Sequence, residues 1–229
     1  MCGICGAVDG RGARKAEREV LLGMVRRLFH RGPDEQGIAI GPGAALGHAR
    51  LSIIDLAGGR QPMTGEDHAV WVVFNGEIYN YLELIPELEA RGHRFRTRCD
   101  TEVLVHLWEE EGPELVHRLN GQFAFALWDA RSGTLFMARD PVGVRPLHYV
   151  EHEGWLLFAS EIKALFAWPG VPRALDPGAL RGIFTLWGPA PGRTAFKGVR
   201  SLPPGHRALF KGGRLSIEAW YRPWFDGRA

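Results

Sequence analysis

The chain opens Met1-Cys2-Gly3-Ile4-Cys5-Gly6-Ala7-Val8. Removal of Met1 by an aminopeptidase, expected where a small residue follows, makes Cys2 the N-terminus. One residue then carries both a thiol and a free α-amine. Their ordinary pKa values, about 8.5 and roughly 7.7–8.0, are close enough for the amine to take the thiol proton. A reacting group at a chain end needs that end tied down, and residues 4–8 read as an apolar strand that anchors it. Cys2-Gly3-Ile4-Cys5 is also a C-x-x-C spacing, which suits a redox pair or half a zinc site. The chain has three cysteines in all, the third being Cys99, and no second C-x-x-C to complete four zinc ligands. A thioredoxin-like pair follows a strand and opens a helix, whereas here the strand comes after the pair. No metal site is therefore expected.

The 229 residues are 45% hydrophobic and 24% charged, an ordinary globular composition. That length suits one large domain or two small ones. The net charge is +2 with no block of like charges, so nucleic acid is not implied. An odd number of cysteines argues against a disulfide framework and fits a reducing cytoplasm. The N-terminal region lacks the basic-then-apolar pattern of a signal peptide. No apolar stretch approaches the 18 or so residues of a membrane span, so no membrane association is expected. Thirty glycines and fifteen prolines imply many tight turns.

Residues 16–29 place Val20, Leu21, Met24, Val25 and Leu28 on one helical face. Residues 82–91 read as a helix stopped by Gly92, with Pro86 predicting a kink or a late start. A third helix over 101–111 has Asp100 as its cap candidate, and short helices are expected over 113–119 and 177–184. Strands are expected over 37–40, 45–50, 70–75, 123–129, 134–139, 148–150, 155–159, 208–210 and 214–217. Residues 130–133 and 211–214 read as hairpin turns. Such strand pairs around a few amphipathic helices suggest antiparallel sheets covered by helices.

Several polar segments interrupt this pattern. Arg50 ends a strand, and its guanidinium fork suits a carboxylate as well as a surface ion pair. In Phe74-Asn75-Gly76-Glu77 an apolar strand runs into Asn-Gly. That dipeptide makes a plain turn, or an amide and a backbone N–H that donate to a developing oxyanion. Glu77 and Asp100 can each accept from an ammonium group. A thiol with its own base, a carboxylate clamp, an oxyanion hole and an acidic pair together suit an α-amino acid with a side-chain carbonyl, such as glutamine.

These residues sit in a run of motifs: Met-Cys-Gly-Ile, then His30-Arg31-Gly32-Pro33-Asp34, then Arg50-Leu51-Ser52-Ile53-Ile54-Asp55. Phe74-Asn75-Gly76-Glu77-Ile78-Tyr79-Asn80-Tyr81, Asp100-Thr101-Glu102 and Asn120-Gly121-Gln122-Phe123-Ala124 follow. Arg139-Asp140-Pro141-Val142-Gly143-Val144-Arg145-Pro146-Leu147, Phe158-Ala159-Ser160-Glu161-Ile162-Lys163 and Leu202-Pro203-Pro204-Gly205-His206 complete the series. In kind and order they resemble the glutaminase domain of class II glutamine amidotransferases, and most closely that of glutamine-hydrolysing asparagine synthetases. The resemblance implies an α+β fold, a four-layer α-β-β-α sandwich of two antiparallel sheets, the N-terminal-nucleophile hydrolase fold. It implies a class II glutaminase domain over residues 1–190, with residues 191–229 its C-terminal strands and a tail leading toward a synthetase domain.

By position it makes Cys2 the nucleophile and its α-amine the base, with the Asn75 amide and Gly76 N–H as the oxyanion hole. Arg50 would hold the α-carboxylate of L-glutamine, and Glu77 and Asp100 its ammonium. Leu51, Ile53 and Ile54 would line the site, residues 30–34 would shape a loop over it, and residues 139–147 and 158–163 would be scaffold. No cofactor is expected in this chain, which has no glycine-rich phosphate loop. ATP and Mg belong to an ATP-dependent synthetase domain or subunit, the expected partner, and a homodimer is one assembly the family allows. The alternative is a catalytically silent regulatory or assembly module of the same fold.

Overall fold

Strand alternation explains the architecture. The structure, a computed structural model, describes residues 1–224. In chain order its elements begin β1 (Gly3–Asp9), α1 (Arg18–Arg26), β2 (Glu35–Gly41), β3 (Ala44–Arg50), β4 (Met63–Thr64), β5 (Val70–Ile78), α2 (Tyr81–Ala90) and α3 (Glu102–Glu111). They continue β6 (Gly121–Asp129), β7 (Thr134–Arg139), β8 (His148–His152), β9 (Trp155–Ala159), α4 (Ile162–Leu165), α5 (Pro177–Leu186), β10 (Arg200–Ser201), β11 (His206–Lys211) and β12 (Arg214–Ala219). One six-stranded sheet has the order β10-β8-β9-β1-β3-β2 and the other β12-β11-β7-β6-β5-β4, with every pairing antiparallel.

Successive strand side chains point to opposite faces, and the core divides accordingly. Along β1, Ile4 and Val8 pack between the sheets, while Cys5 and Ala7 pack with Leu21, Met24 and Val25 of α1. Along β5, Val73 faces the first sheet, while Val70, Val72 and Phe74 pack with Leu84 of α2 and Val103, Leu104 and Leu107 of α3. Helices therefore cover the outer face of each sheet, which gives the expected four layers. Beyond residue 190, β10 extends the first sheet and β11–β12 the second. The end of the expected tail, residues 225–229, lies outside the described residues.

The structure corrects several local expectations. Residues Gly112–Arg118 form a 3-10 helix, and the two-residue strands β4 and β10 carry too little pattern to be foreseen. The second helix does not start late. It begins at Tyr81 and runs through Pro86, burying Leu84 and Leu88. Asn80 fixes its start by accepting the Asn120 N–H at 2.9 Å and donating to the Arg118 carbonyl at 2.9 Å. Asp100 does not cap α3: the N-cap is Thr101, with no side-chain cap bond. Asn75-Gly76 is not a turn but lies inside β5.

Candidate active site

Cys2 stands one residue before β1, and several contacts fix that end. Ser160 Oγ accepts the Ile4 N–H at 3.0 Å, and the Ser160 N–H returns to the Ile4 carbonyl at 2.8 Å. Arg31 Nε donates to the Cys2 carbonyl at 2.8 Å, and its terminal nitrogen meets Glu161 at 3.0 Å. Burial works to raise the Glu161 pKa, but hydrogen bonds from His30, Arg31 and Lys163 bring it down to about 2. An anion that stays charged at ordinary pH thus holds the arginine that holds the Cys2 backbone. The thiol faces Leu51, with Sγ accepting the Leu51 N–H at 3.4 Å and lying 3.6 Å from its carbonyl oxygen. Burial raises the Cys2 pKa. The Met1 amine is lowered, again chiefly by burial.

Strand register places Asn75 and Gly76, the oxyanion donors expected from the sequence. Asn75 shares the parity of Val73, so its side chain points between the sheets, toward the one that carries Cys2. It is 1% exposed, and neither its Nδ2 nor its Oδ1 has a hydrogen-bond partner. Gly76 pairs with Phe123. Phe123 already turns both backbone groups to Asp140: its N–H reaches Oδ2 at 3.2 Å and its carbonyl accepts the Asp140 N–H at 2.8 Å. Gly76–Phe123 is therefore a non-hydrogen-bonded pair, and the Gly76 N–H points away from β6. The N–H groups two residues to either side point the same way. Phe74 N–H goes to Gln61 Oε1 at 2.7 Å and Ile78 N–H to Asp100 Oδ2 at 3.0 Å. Among the described residues no side chain accepts from the Gly76 N–H between them. A Cβ here would fall on the Gln122 carbonyl oxygen, so this stretch of β5 requires glycine.

One pocket brings together every candidate catalytic and substrate-binding residue from the sequence: Cys2, Arg50, Leu51, Ile53, Ile54, Asn75, Gly76, Glu77 and Asp100. Burial raises the Asp100 pKa, with the Ile78 N–H working against it. Arg50 is not a free fork. One terminal nitrogen meets Glu35 at 3.3 Å and the Leu56 carbonyl at 3.0 Å, and the other meets the Ile54 and Asp55 carbonyls at 3.4 and 2.6 Å. Its charge shapes the 51–59 loop, and a ligand carboxylate would displace some of these carbonyls.

The sequence reading missed three polar residues. Gln61 lines the pocket and bridges Phe74 to Thr101 Oγ1, the latter at 3.2 Å. Arg145, taken as scaffold, also lines the pocket, with its Nε buried and unpartnered. His48 ties the sheets together, its Nε2 lying 3.2 Å from the Phe74 carbonyl, and burial lowers its pKa to about 3, so the ring is neutral. Cys5 lies on the opposite face of β1 from the pocket, fully buried, with its thiol pKa pushed up by burial. Alternation thus separates the C-x-x-C pair, and all three cysteines are free. No helix among the described residues is long and apolar enough to cross a membrane.

A glutamine amidotransferase domain family matches residues 1–221. Asparagine synthetase [glutamine-hydrolyzing] 3 of Bacillus subtilis (strain 168) is 41% identical over 228 residues, 98% of this chain and 36% of that protein. Asparagine synthetase [glutamine-hydrolyzing] 2 of Oryza sativa subsp. japonica is 38% identical over 232 residues, 99% of this chain and 33% of that protein. The chain thus spans about a third of the length of these relatives. Among solved structures, the glutamine phosphoribosylpyrophosphate amidotransferase of B. subtilis superposes with a TM-score of 0.68 at 19% identity, covering 96% of this chain and 50% of that one. At that identity the likeness is one of fold, and the fold is that of the N-terminal-nucleophile hydrolases.

Proposed function

This chain belongs to the glutamine amidotransferase domain family, and from that premise we propose that it hydrolyses L-glutamine to glutamate and ammonia through a Cys2 thioester. The observation that carries the reading is Asn75, a buried carboxamide with both ends unpaired, in the wall of the pocket that holds the thiol. Leaving such a group unsatisfied costs about 1–3 kcal/mol, and a reacting oxygen is the partner that relieves it.

Removal of Met1 gives Cys2 its own α-amine, which takes the thiol proton. The thiolate attacks the side-chain amide carbon of glutamine. The developing oxyanion is met by Asn75 Nδ2 and the Gly76 N–H. The amine returns the proton to the departing nitrogen, ammonia leaves, and water then cleaves the glutamyl thioester. Arg50 holds the α-carboxylate and Glu77 and Asp100 the α-ammonium, with Leu51, Ile53 and Ile54 closing the pocket. This thiol chemistry needs no cofactor in the chain. The ammonia passes to an ATP- and Mg-dependent synthetase portion, which makes asparagine from aspartate. The glutamine-hydrolysing asparagine synthetase activity for which the relatives are named supports this, as does the share of their length beyond this chain. Three unpaired cysteines support a reducing, cytoplasmic setting.

The test is glutamate release from glutamine by Met1-processed protein. The reading predicts turnover that disappears in Cys2→Ala, and turnover that survives this substitution contradicts it.

A further inference from the structure

Beside α3, outside the pocket lining, four side chains from three segments converge. Glu66 comes from the turn between β4 and β5, His93 from the loop after α2, and His106 and Glu109 from α3 itself. One donor atom from each lies within 4.8 Å of all the others. Glu109 Oε2 is the focus, 3.4 Å from His106 Nδ1 and 3.7 Å from His93 Nδ1. The two imidazole rings lie against each other with centroids 4.6 Å apart and planes tilted by 41°. Tetrahedral coordination with bonds of about 2.0–2.1 Å sets neighbouring donors roughly 3.3 Å apart, so donors now up to 4.8 Å apart would draw together around an ion.

His106 is the second, independent observation. Its side chain is 0% exposed, and neither ring nitrogen has a hydrogen-bond partner. Glu109 Oε2, which it faces, is likewise buried and unpartnered. Behind the inward-facing atoms three of the four groups are hydrogen-bonded, and His106 Nε2 has a carboxylate nearby without a hydrogen bond. His93 Nε2 meets Glu110 at 3.0 Å, and His106 Nε2 faces Glu102 at 3.8 Å. Glu109 Oε1 accepts from Arg131 at 2.8 Å, and Glu66 Oε1 accepts the Arg94 N–H at 2.6 Å. A carboxylate behind each histidine is how metal-bound imidazoles are oriented.

The competing arrangement is a buried ion pair. Burial works to lower the His106 pKa, but Glu102 and Glu109 outweigh it and raise it to about 9. A histidinium so placed should donate well-aligned hydrogen bonds to both carboxylates. Without a metal the pair is held by charge at separations of 3.4 and 3.8 Å, and neither nitrogen reaches hydrogen-bond geometry.

We propose that Glu66, His93, His106 and Glu109 bind one divalent metal ion of the zinc class through two imidazole nitrogens and two carboxylate oxygens. Mixed imidazole and carboxylate donors suit zinc and its first-row neighbours. The ion takes no part in the thiol chemistry. It fastens the turn before β5 and the loop after α2 to α3. That loop runs through Arg96 and Thr97, whose N–H groups Glu102 accepts at 2.8 Å each, to Cys99, Asp100 and Thr101 in the pocket wall. The proposal stands whether or not the pocket hydrolyses glutamine.

The experiment uses untagged full chain, stripped with chelator, dialysed against excess zinc at neutral pH, and freed of loose metal by gel filtration before elemental mass spectrometry. The expected result is one equivalent of zinc and a raised melting temperature. His93→Ala and Glu66→Gln should each weaken binding by roughly 10-fold or more, while Cys2→Ala keeps its zinc. Glu66 is exposed, while the His93 side chain is only 12% exposed, so Glu66→Gln is the variant expected to fold unchanged and both are checked by circular dichroism. Cobalt in place of zinc should give the visible absorption of a tetrahedral nitrogen-oxygen site. Stripped wild type that takes up no zinc overturns the proposal. So does zinc that persists in His93→Ala, or zinc that is lost in Cys2→Ala and therefore belongs to the thiol.

Discussion

Asn75 separates stability from activity more sharply than any other residue in the pocket. Its carboxamide is buried without a partner, so its removal takes away an unsatisfied group rather than a contact. Asn75→Ala should therefore lower kcat by roughly 10²–10³, the usual effect of losing one oxyanion donor. Its melting temperature should stay level or rise, because relief of about 1–3 kcal/mol offsets the small cavity. Steady-state kinetics beside thermal denaturation checks both halves. Gly76→Ala should behave differently. Its Cβ meets the Gln122 carbonyl, so activity and stability should fall together, the latter by about 1–3 kcal/mol.

At the level of elements, Asp100 joins α3 to β5 instead of capping α3. Asp100→Asn keeps an oxygen for the Ile78 N–H but loses the charge offered to an ammonium group. A hydrogen bond to a charged group is worth about 1.5–3 kcal/mol, so KM for glutamine should rise roughly 10-fold or more while helicity and melting temperature hold. On the same helix, His106 sits between Glu102 and Glu109, with Glu66 and His93 facing it from neighbouring segments. Its folded pKa of about 9 lies above its ordinary 6.5. Its contribution to stability is therefore complete below about pH 6.5 and is lost as pH rises through about 9. Denaturant titrations in chelator should show that decline, and His106→Gln should flatten it. Local pattern found α1, α3 and most strands because their buried faces follow simple periods. It could not find His48, which reaches Phe74 across 26 residues, or Ser160, which meets Ile4 across 156. Nor could it see that Arg50 is engaged by its own loop, since that depends on how residues 51–59 fold back.

Across the whole molecule, the pocket takes Cys2 and Leu51 from the ends of β1 and β3 and Asn75 and Gly76 from β5 of the second sheet, so it exists only while the sheets stay packed. The motifs suggested the proposed nucleophile and oxyanion pair through family resemblance. The strand order, with β1 between β3 and β9, follows from long-range pairing that no local spacing encodes. Phe158 fills the space between the sheets at 0% exposure. Phe158→Ala should cost about 3–5 kcal/mol, and in urea its activity and tryptophan fluorescence should disappear in one shared transition. The claim on which the rest depends is that Cys2, freed of Met1, is the nucleophile in a glutamine-shaped pocket. Intact-mass spectrometry before and after treatment with the glutamine-analogue electrophile diazo-oxo-norleucine tests it most directly. The account predicts a mass lacking Met1 that gains a single label, mapped to Cys2 and blocked by excess glutamine. Met1-free protein that takes no label, or is labelled at Cys5 or Cys99, would contradict it.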